Sequence, residues 1–256
     1  MEVPELLYAV EENVAWITIN REAQRNAITP RAVHLFKECL DRAEADTEVR
    51  VVAITGAGAK AFCAGADLRG AGRPEDPDAF QSYADLLKRL TGFPKPTLAR
   101  VNGHCLAGGT GLMLACDIVI AADTATFGTP EVNVGLFPMM IGALIFRNAP
   151  RKKAMEMTLL GERLSAAQAL GMGMVNRVVS PEQLDQEVAA VLKNLTAKSP
   201  IGLRIGKTAF HQVQDMPFDQ ALDLLARKIG EVAATGDARE GITAFLEKRA
   251  PQFKGK

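Results

Sequence analysis

The chain has 256 residues, 48% of them apolar, with 30 basic side chains against 30 acidic ones. That length allows one sizeable domain, or one with a smaller appendage, around a full core. The balanced charge excludes the basic stripe of a dedicated nucleic-acid binder and a polybasic membrane anchor. The opening residues show no positive segment followed by an apolar run, so no signal peptide is expected. No stretch approaches the ~20 apolar residues that a membrane span needs. Cys39, Cys63, Cys105 and Cys116 form no CxxC pair and no zinc-like spacing. They are expected reduced and buried, as in a cytoplasmic protein, with no metal site.

Along the chain, Leu6–Glu11 and Val14–Asn20 read as a hairpin turning at Glu12-Asn13. Thr29-Pro30 supplies an N-cap and a proline at the first helical position, opening a helix to about Asp46. Val51–Thr55 is a short apolar strand that runs out in Gly56-Ala57-Gly58. The prolines from Pro74 to Pro77, with acidic neighbours, predict an exposed loop, and a helix follows over Asp78–Thr91. Pro96–Val101 and Ile118–Ala122 are further strands. Apolar strands joined by helical crossovers predict a mainly parallel sheet covered on both faces. The last third is helical, with helices over Pro181–Lys198, Ile201–Gln214 and Phe218–Ala234. Ser165/Gln168 and Ser180/Gln183 fit the capping-box pattern, and Asp237/Glu240 is a variant expected to start the last helix. The basic tail Lys248–Lys256 reads as a solvated end.

Two glycine-containing segments stand out. The first is Phe62-Cys-Ala-Gly-Ala-Asp-Leu68, after the Val51 strand and its loop. The second runs from Val101 to Asp117, where Ala107-Gly-Gly109 precedes a helical run. Backbone N–H groups at a helix start lack an intrahelical partner, which suits them to negative charge. Neither segment matches the GxxxxGK[ST] phosphate loop or the GxGxxG dinucleotide fingerprint. By themselves they fit equally a pair of tight turns that need glycine for positive φ or close packing.

Taken together and in order, these segments resemble the crotonase superfamily of enoyl-CoA hydratases and isomerases. The resemblance begins with Trp16-Ile-Thr-Ile-Asn-Arg21 and Asn26-Ala-Ile28 and passes through both glycine segments. It continues through Phe127-Gly-Thr-Pro-Glu131, Val134-Gly135 and Leu160–Ala166 to Ala169–Val175 and the ending Glu240–Arg249. It implies an α/β fold: a spiral core of ββα units over 1–195 and a helical C-terminal trimerisation region over 196–256. The implied assembly is a homotrimer or a dimer of trimers. The implied ligand is an acyl-CoA thioester, with coenzyme A part of the substrate and no other cofactor. The implied chemistry is an enolate held by the N–H groups of Ala66 and Gly108.

By the same resemblance, Arg25, Ala27, Ala64, Ala66 and Leu68 would hold the adenine and pantetheine, with Arg25 a candidate phosphate partner. Phe245 and Lys248 match positions that reach the coenzyme A of a neighbouring subunit. Glu131 matches the proton-transferring carboxylate. Desolvation raises a carboxyl's pKa, which suits proton exchange with a carbon acid near neutral pH.

The chain departs from the hydratase pattern at Gly111, where the second glutamate would stand. Adding water across C2=C3 is easiest with two carboxylates, whereas moving a double bond needs one base. Thr110 or a water is a candidate substitute, while His104 reads as a structural histidine. Met139, Met140 and Ile141 replace small residues after Pro138, and with Arg69 and Gly111 they are expected to shape the acyl pocket. The residues therefore leave open a hydratase, a double-bond isomerase, a decarboxylase or a non-catalytic acyl-CoA binder.

Overall fold

The computed structural model describes residues 3–67 and 78–256. Leu68, Arg69 and the Pro74–Pro77 loop lie outside them. In chain order the elements begin with β1 (Leu6–Glu11), β2 (Val14–Ile19), α1 (Pro30–Ala45), β3 (Val51–Gly56), β4 (Ala61–Cys63) and α2 (Ala79–Thr91). Next come β5 (Thr97–Val101), β6 (His104–Leu106), α3 (Gly108–Leu114), β7 (Ile118–Ala122) and β8 (Thr126–Gly128). Then follow α4 (Met139–Asn148), α5 (Arg151–Leu160), β9 (Leu164–Ser165), α6 (Ala166–Gly171) and β10 (Arg177–Val179). The chain closes with α7 (Pro181–Thr196), α8 (Pro200–Val213), α9 (Phe218–Ala233) and α10 (Gly236–Leu246).

Two sheets result. The larger has the order β1-β2-β3-β5-β7-β10, and every pairing after the β1–β2 hairpin is parallel. The hairpin turns on Glu12 and Asn13 at φ 49° and 65°, the left-handed pair that matches strand twist. The period of two splits each strand between two cores. Val51 and Ala53 of β3 pack with Leu184, Val188, Val191 and Leu192 of α7. Val52 and Ile54 face the larger core, with Phe36 and Leu40 of α1 and Leu86 and Leu90 of α2.

The second sheet, β4-β6-β8-β9, is built of strands of two or three residues. Each begins just after a strand of the large sheet or after a helix. The chain thus doubles back at the strand ends, and this second sheet carries both glycine segments and the approach to Glu131.

The helix starts divide the two capping-box patterns. Ser165 and Gln168 form the full reciprocal pair. Ser180 makes no side-chain cap; its hydroxyl goes to Glu182, whose carboxyl is held low first by its own backbone N–H and then by Ser180. The last helix starts earlier than Asp237. Thr235 caps it by accepting from Ala238 N–H at 3.0 Å, because the Asp237 carboxylate is committed elsewhere. Asp237 is buried and accepts from Ser199 Oγ at 2.7 Å, Lys254 N–H at 2.8 Å and Gly255 N–H at 3.1 Å. Arg50 Nη2 donates to Phe253 O at 3.2 Å. The expected solvated tail is therefore docked at its end, since a buried carboxylate must be met by donors and the tail's backbone N–H groups supply them. Among the described residues no helix is long and apolar enough to cross a membrane.

Candidate active site

The Ala64–Asp67 segment is held by the turn that follows β2. Ala64 N–H donates to Arg25 O at 3.1 Å, Ile28 N–H to Gly65 O at 2.8 Å, and Asp67 N–H to Ile28 O at 2.9 Å. Ile28 thus makes a parallel bridge opposite Ala66. In such a bridge the central residue's own N–H points away from its partner. Ala66 is exposed, and among the described residues its N–H has no backbone acceptor. Arg25, Ala27, Ala64 and Ala66 are therefore gathered in one place.

Residues outside the two glycine segments support that pairing. Arg25 and Asn26 both take left-handed backbone, at φ 53° and 57°. Asn26 is fully buried, and its Nδ2 donates to Ala61 O at 2.7 Å and Ala57 O at 3.0 Å. Arg21 donates to Ala27 O at 2.5 Å and pairs with Asp67 at 2.8 Å. Arg21 and Asp67 are separated by 46 positions, so no local pattern links them.

The second candidate N–H, that of Gly108, sits at the start of α3. Ala107 precedes it at φ 51°, left-handed for a residue with a Cβ, with no side-chain cap. Gly108 is the first helical residue, so its N–H has no intrahelical acceptor. Three bonds fix this corner. Ala107 N–H donates to Gly128 O at 2.9 Å. Thr110 Oγ lies 3.0 Å from Cys105 O and 3.1 Å from Gly128 O. Tyr83 Oη donates to Gly108 O at 2.5 Å. Thr110 is fully buried and its one proton is spent on these carbonyls, so it is no substitute for a missing carboxylate.

The two loops abut at Gly65, which has φ +95°. A Cβ there would lie 2.6 Å from Ala107 Cβ and 3.2 Å from Gly108 N. Only glycine permits both that backbone and that approach.

Glu131 enters on the 3-10 turn Pro130–Val134 that follows β8. Thr129 anchors the turn from a buried position, donating to Met157 O at 3.3 Å. Burial pushes the Glu131 carboxyl above the usual carboxylate range, partly offset by its own backbone N–H. Its Oε2 is buried with no hydrogen-bond partner among the described residues. Glu131 is also near enough to Tyr83 to help push the phenol upward, after burial, Cys63 and Cys105. Carboxylate, phenol and the Gly108 peptide therefore lie close together.

Gly111 lies one turn beyond Gly108. A Cβ on it would overlap Ile141 Cγ2 and stand 3.0 Å from Tyr83 Oη and 3.2 Å from Ile141 Cβ. Of the apolar run, Ile141 is buried and fills this space, Met140 packs at the core's edge, and Met139 is 72% exposed. His104 points elsewhere, its Nδ1 2.7 Å from Thr126 Oγ. Burial, then Arg163 and Arg25, lower its pKa. All four cysteines are unpaired and buried; burial pushes Cys63 up to about 12, so it is no nucleophile. Phe245 lies in the last turn of α10 and Lys248 just beyond it, both exposed. Among the described residues no group of three or more His, Cys, Asp or Glu is placed to hold a metal.

The sequence profile described as "Enoyl-CoA hydratase/isomerase" matches residues 9–256. The chain belongs to the enoyl-CoA hydratase/isomerase family. It is 37% identical over 258 aligned positions to 2,3-dehydroadipyl-CoA hydratase of Escherichia coli, covering 98% of this chain and 99% of that one. The crystal structure of an enoyl-CoA hydratase from Mycobacterium smegmatis superposes with TM-score 0.94 at 34% identity, covering 98% and 99% of the two chains. One from Bacillus anthracis gives TM-score 0.94 at 32% identity, covering 99% and 100%. The fold of this enoyl-CoA hydratase/isomerase family member is thus the crotonase fold, and its chemistry is acyl-CoA processing.

Proposed function

We propose that the protein moves the double bond of an enoyl-CoA thioester between C3 and C2, with Glu131 as the one carboxylate that carries the proton. Glu131 removes a proton from C2 of a 3-enoyl thioester, and the electron pair moves onto the thioester oxygen. The N–H groups of Ala66 and Gly108 hold that oxyanion. Protonated Glu131 then returns the proton at C4, and the electrons relax into the C2=C3 bond. Two preorganised donors in a dry site stabilise such charge by roughly 3–4 kcal/mol each. Arg25, Ala27 and Ala64 line the entry for the coenzyme.

The observation that carries this reading is the filled space at Gly111. Ile141 and the Tyr83 phenol occupy the volume that a second, water-orienting carboxylate would need. The apolar exposed residues Phe218, Leu222 and Ile229 of α9, with Ile242 and Leu246 of α10, support assembly into trimers. That assembly would bring Phe245 and Lys248 to a neighbour's coenzyme A.

Hydration is the second reading, favoured by the hydratase names of the relatives above. Incubating the protein with 2-enoyl-, 3-enoyl- and malonyl-type CoA thioesters in D2O, with products followed by mass, separates the two. The expected result is 3-enoyl conversion to 2-enoyl, with the C2 proton carried to C4 and little deuterium taken up. Faster hydration of the 2-enoyl thioester would overturn it, as would carbon dioxide release from the malonyl type. Binding of every thioester with turnover of none would leave an acyl-CoA carrier.

A further inference from the structure

Gly108 and Gly111 are three residues apart on α3 and so lie on one face of it. Tyr83 reaches that face from α2. Its Oη is 3.3 Å from where a Gly108 Cβ would be and 3.0 Å from where a Gly111 Cβ would be. The two glycines together form the berth of a phenol, and the phenol donates to the Gly108 carbonyl at 2.5 Å. Gly111 is thus more than a position that lacks a carboxylate: its bareness admits Tyr83. The corner needs such a tie, because Ala107 enters α3 in left-handed backbone with no side-chain cap, a conformation that persists only when neighbours enforce it. Leu86, Leu87 and Leu90 seat α2 in the core, so the phenol is presented from a rigid support.

We propose that Tyr83 is the positioning residue of the oxyanion site, holding the Gly108 peptide so that its N–H keeps its aim as charge develops on the thioester oxygen. This rests on the assignment of Ala66 and Gly108 as the oxyanion donors. Tyr83 touches the donor's own residue and not the reacting atoms, so it acts through Gly108. Burial and the Cys63, Cys105 and Glu131 side chains hold the phenol well above its usual range. It therefore stays an O–H donor at every working pH.

The test uses a conjugated aryl-enoyl-CoA thioester, whose absorbance moves to longer wavelength when the carbonyl is polarised. On binding to wild type a red shift is expected, and Glu131→Gln is expected to keep it. Tyr83→Phe, which removes only the hydroxyl, is expected to lose most of the shift while binding the thioester within about twofold. Its kcat on the natural reaction type should fall about 10- to 100-fold with KM little changed, as a small misplacement predicts. A full shift and full kcat in Tyr83→Phe would overturn the role of Tyr83 alone. A wild-type protein that binds the thioester with no shift would overturn the oxyanion assignment, and the role of Tyr83 with it. Should Tyr83→Phe fail to fold, 3-fluorotyrosine at residue 83 keeps the ring and strengthens the donor. The shift should then match or exceed wild type, and its loss would overturn the proposal.

Discussion

The Ile141 side chain stands in the space that a side chain on Gly111 would need. A Cβ at residue 111 overlaps Ile141 Cγ2 and comes within 3.0 Å of Tyr83 Oη. Restoring a second carboxylate therefore takes more than one substitution. Gly111→Glu alone is expected to lose about 1–3 kcal/mol of stability through overpacking and to gain no hydration. Gly111→Glu with Ile141→Ala removes the Cγ2 overlap, leaving the close approaches of Tyr83 Oη and residue 141 Cβ to be relieved by small shifts. Hydration of a 2-enoyl thioester should then rise by about 100-fold or more if a second carboxylate is the limiting group. Denaturant unfolding and a hydration assay on both variants check this. Hydration by the single variant would show that the wall at Ile141 yields.

Glu131 combines a raised pKa with an unpartnered buried oxygen. As the base it must be ionised, so activity should rise with pH through a midpoint above the usual carboxylate range. Glu131→Gln should lower kcat by about 10²–10⁴. The same residue weakens the fold at neutral pH. Its folded pKa lies above the unfolded value of about 4.3, so stability is fully present below that value and is lost as pH rises through the folded one. Glu131→Gln should therefore raise Tm at pH 7, and the gain should vanish at pH values below the unfolded one. Thermal unfolding across pH measures it, and a gain that grows towards acid would contradict the burial argument.

The junction of the two glycine segments rests on Gly65. Its φ of +95° and the 2.6 Å approach of a built Cβ to Ala107 Cβ leave no room for alanine. Gly65→Ala should cost about 3 kcal/mol, from left-handed backbone and overpacking together. The surviving fold should lose about 100-fold or more in kcat, because Ala66 and Gly108 separate. Unfolding and steady-state kinetics give both numbers, and a stable variant with unchanged kcat would mean the two donors are not jointly required.

What the sequence made legible follows from range. Pro130 and Glu131 point to their place because the turn that positions them is local, whereas Ala64 to Ala66 are legible as a motif but are held by Arg25 and Ile28 from a distant part of the chain. Five strands of the large sheet were legible as apolar runs of five or six residues, while the edge strand Arg177–Val179 is too short to show a period. The second sheet was not, since strands of two or three residues such as Leu164–Ser165 carry no period. Tyr83 and the Arg21–Asp67 pair escaped because each acts on a segment more than 20 residues away, and Ile141, read as part of the acyl pocket, gave no sign that it stands against Gly111. Ser165 and Ser180 show a limit of another kind: identical patterns end in different bonds because Glu182 competes for the second hydroxyl.

Asp237 connects the helical region to the end of the chain. It accepts from Lys254 and Gly255 N–H and from Ser199 Oγ, and Ser199 in turn accepts from Gly202 N–H at 3.1 Å to cap α8. Hydrogen bonds to a buried charge are worth about 1.5–3 kcal/mol each, and unmet donors carry their own penalty. Asp237→Asn places an amide donor against backbone donors, so a loss of about 3 kcal/mol is expected. The 249–256 tail should come loose, with faster amide exchange and tryptic cleavage at Arg249 and Lys254. Because α10 carries Phe245 and precedes Lys248, KM for CoA thioesters should rise while kcat changes less, if those two residues contact the coenzyme. Exchange that quickens with KM unmoved would place the tail's role in stability alone and remove Phe245 and Lys248 from the coenzyme site.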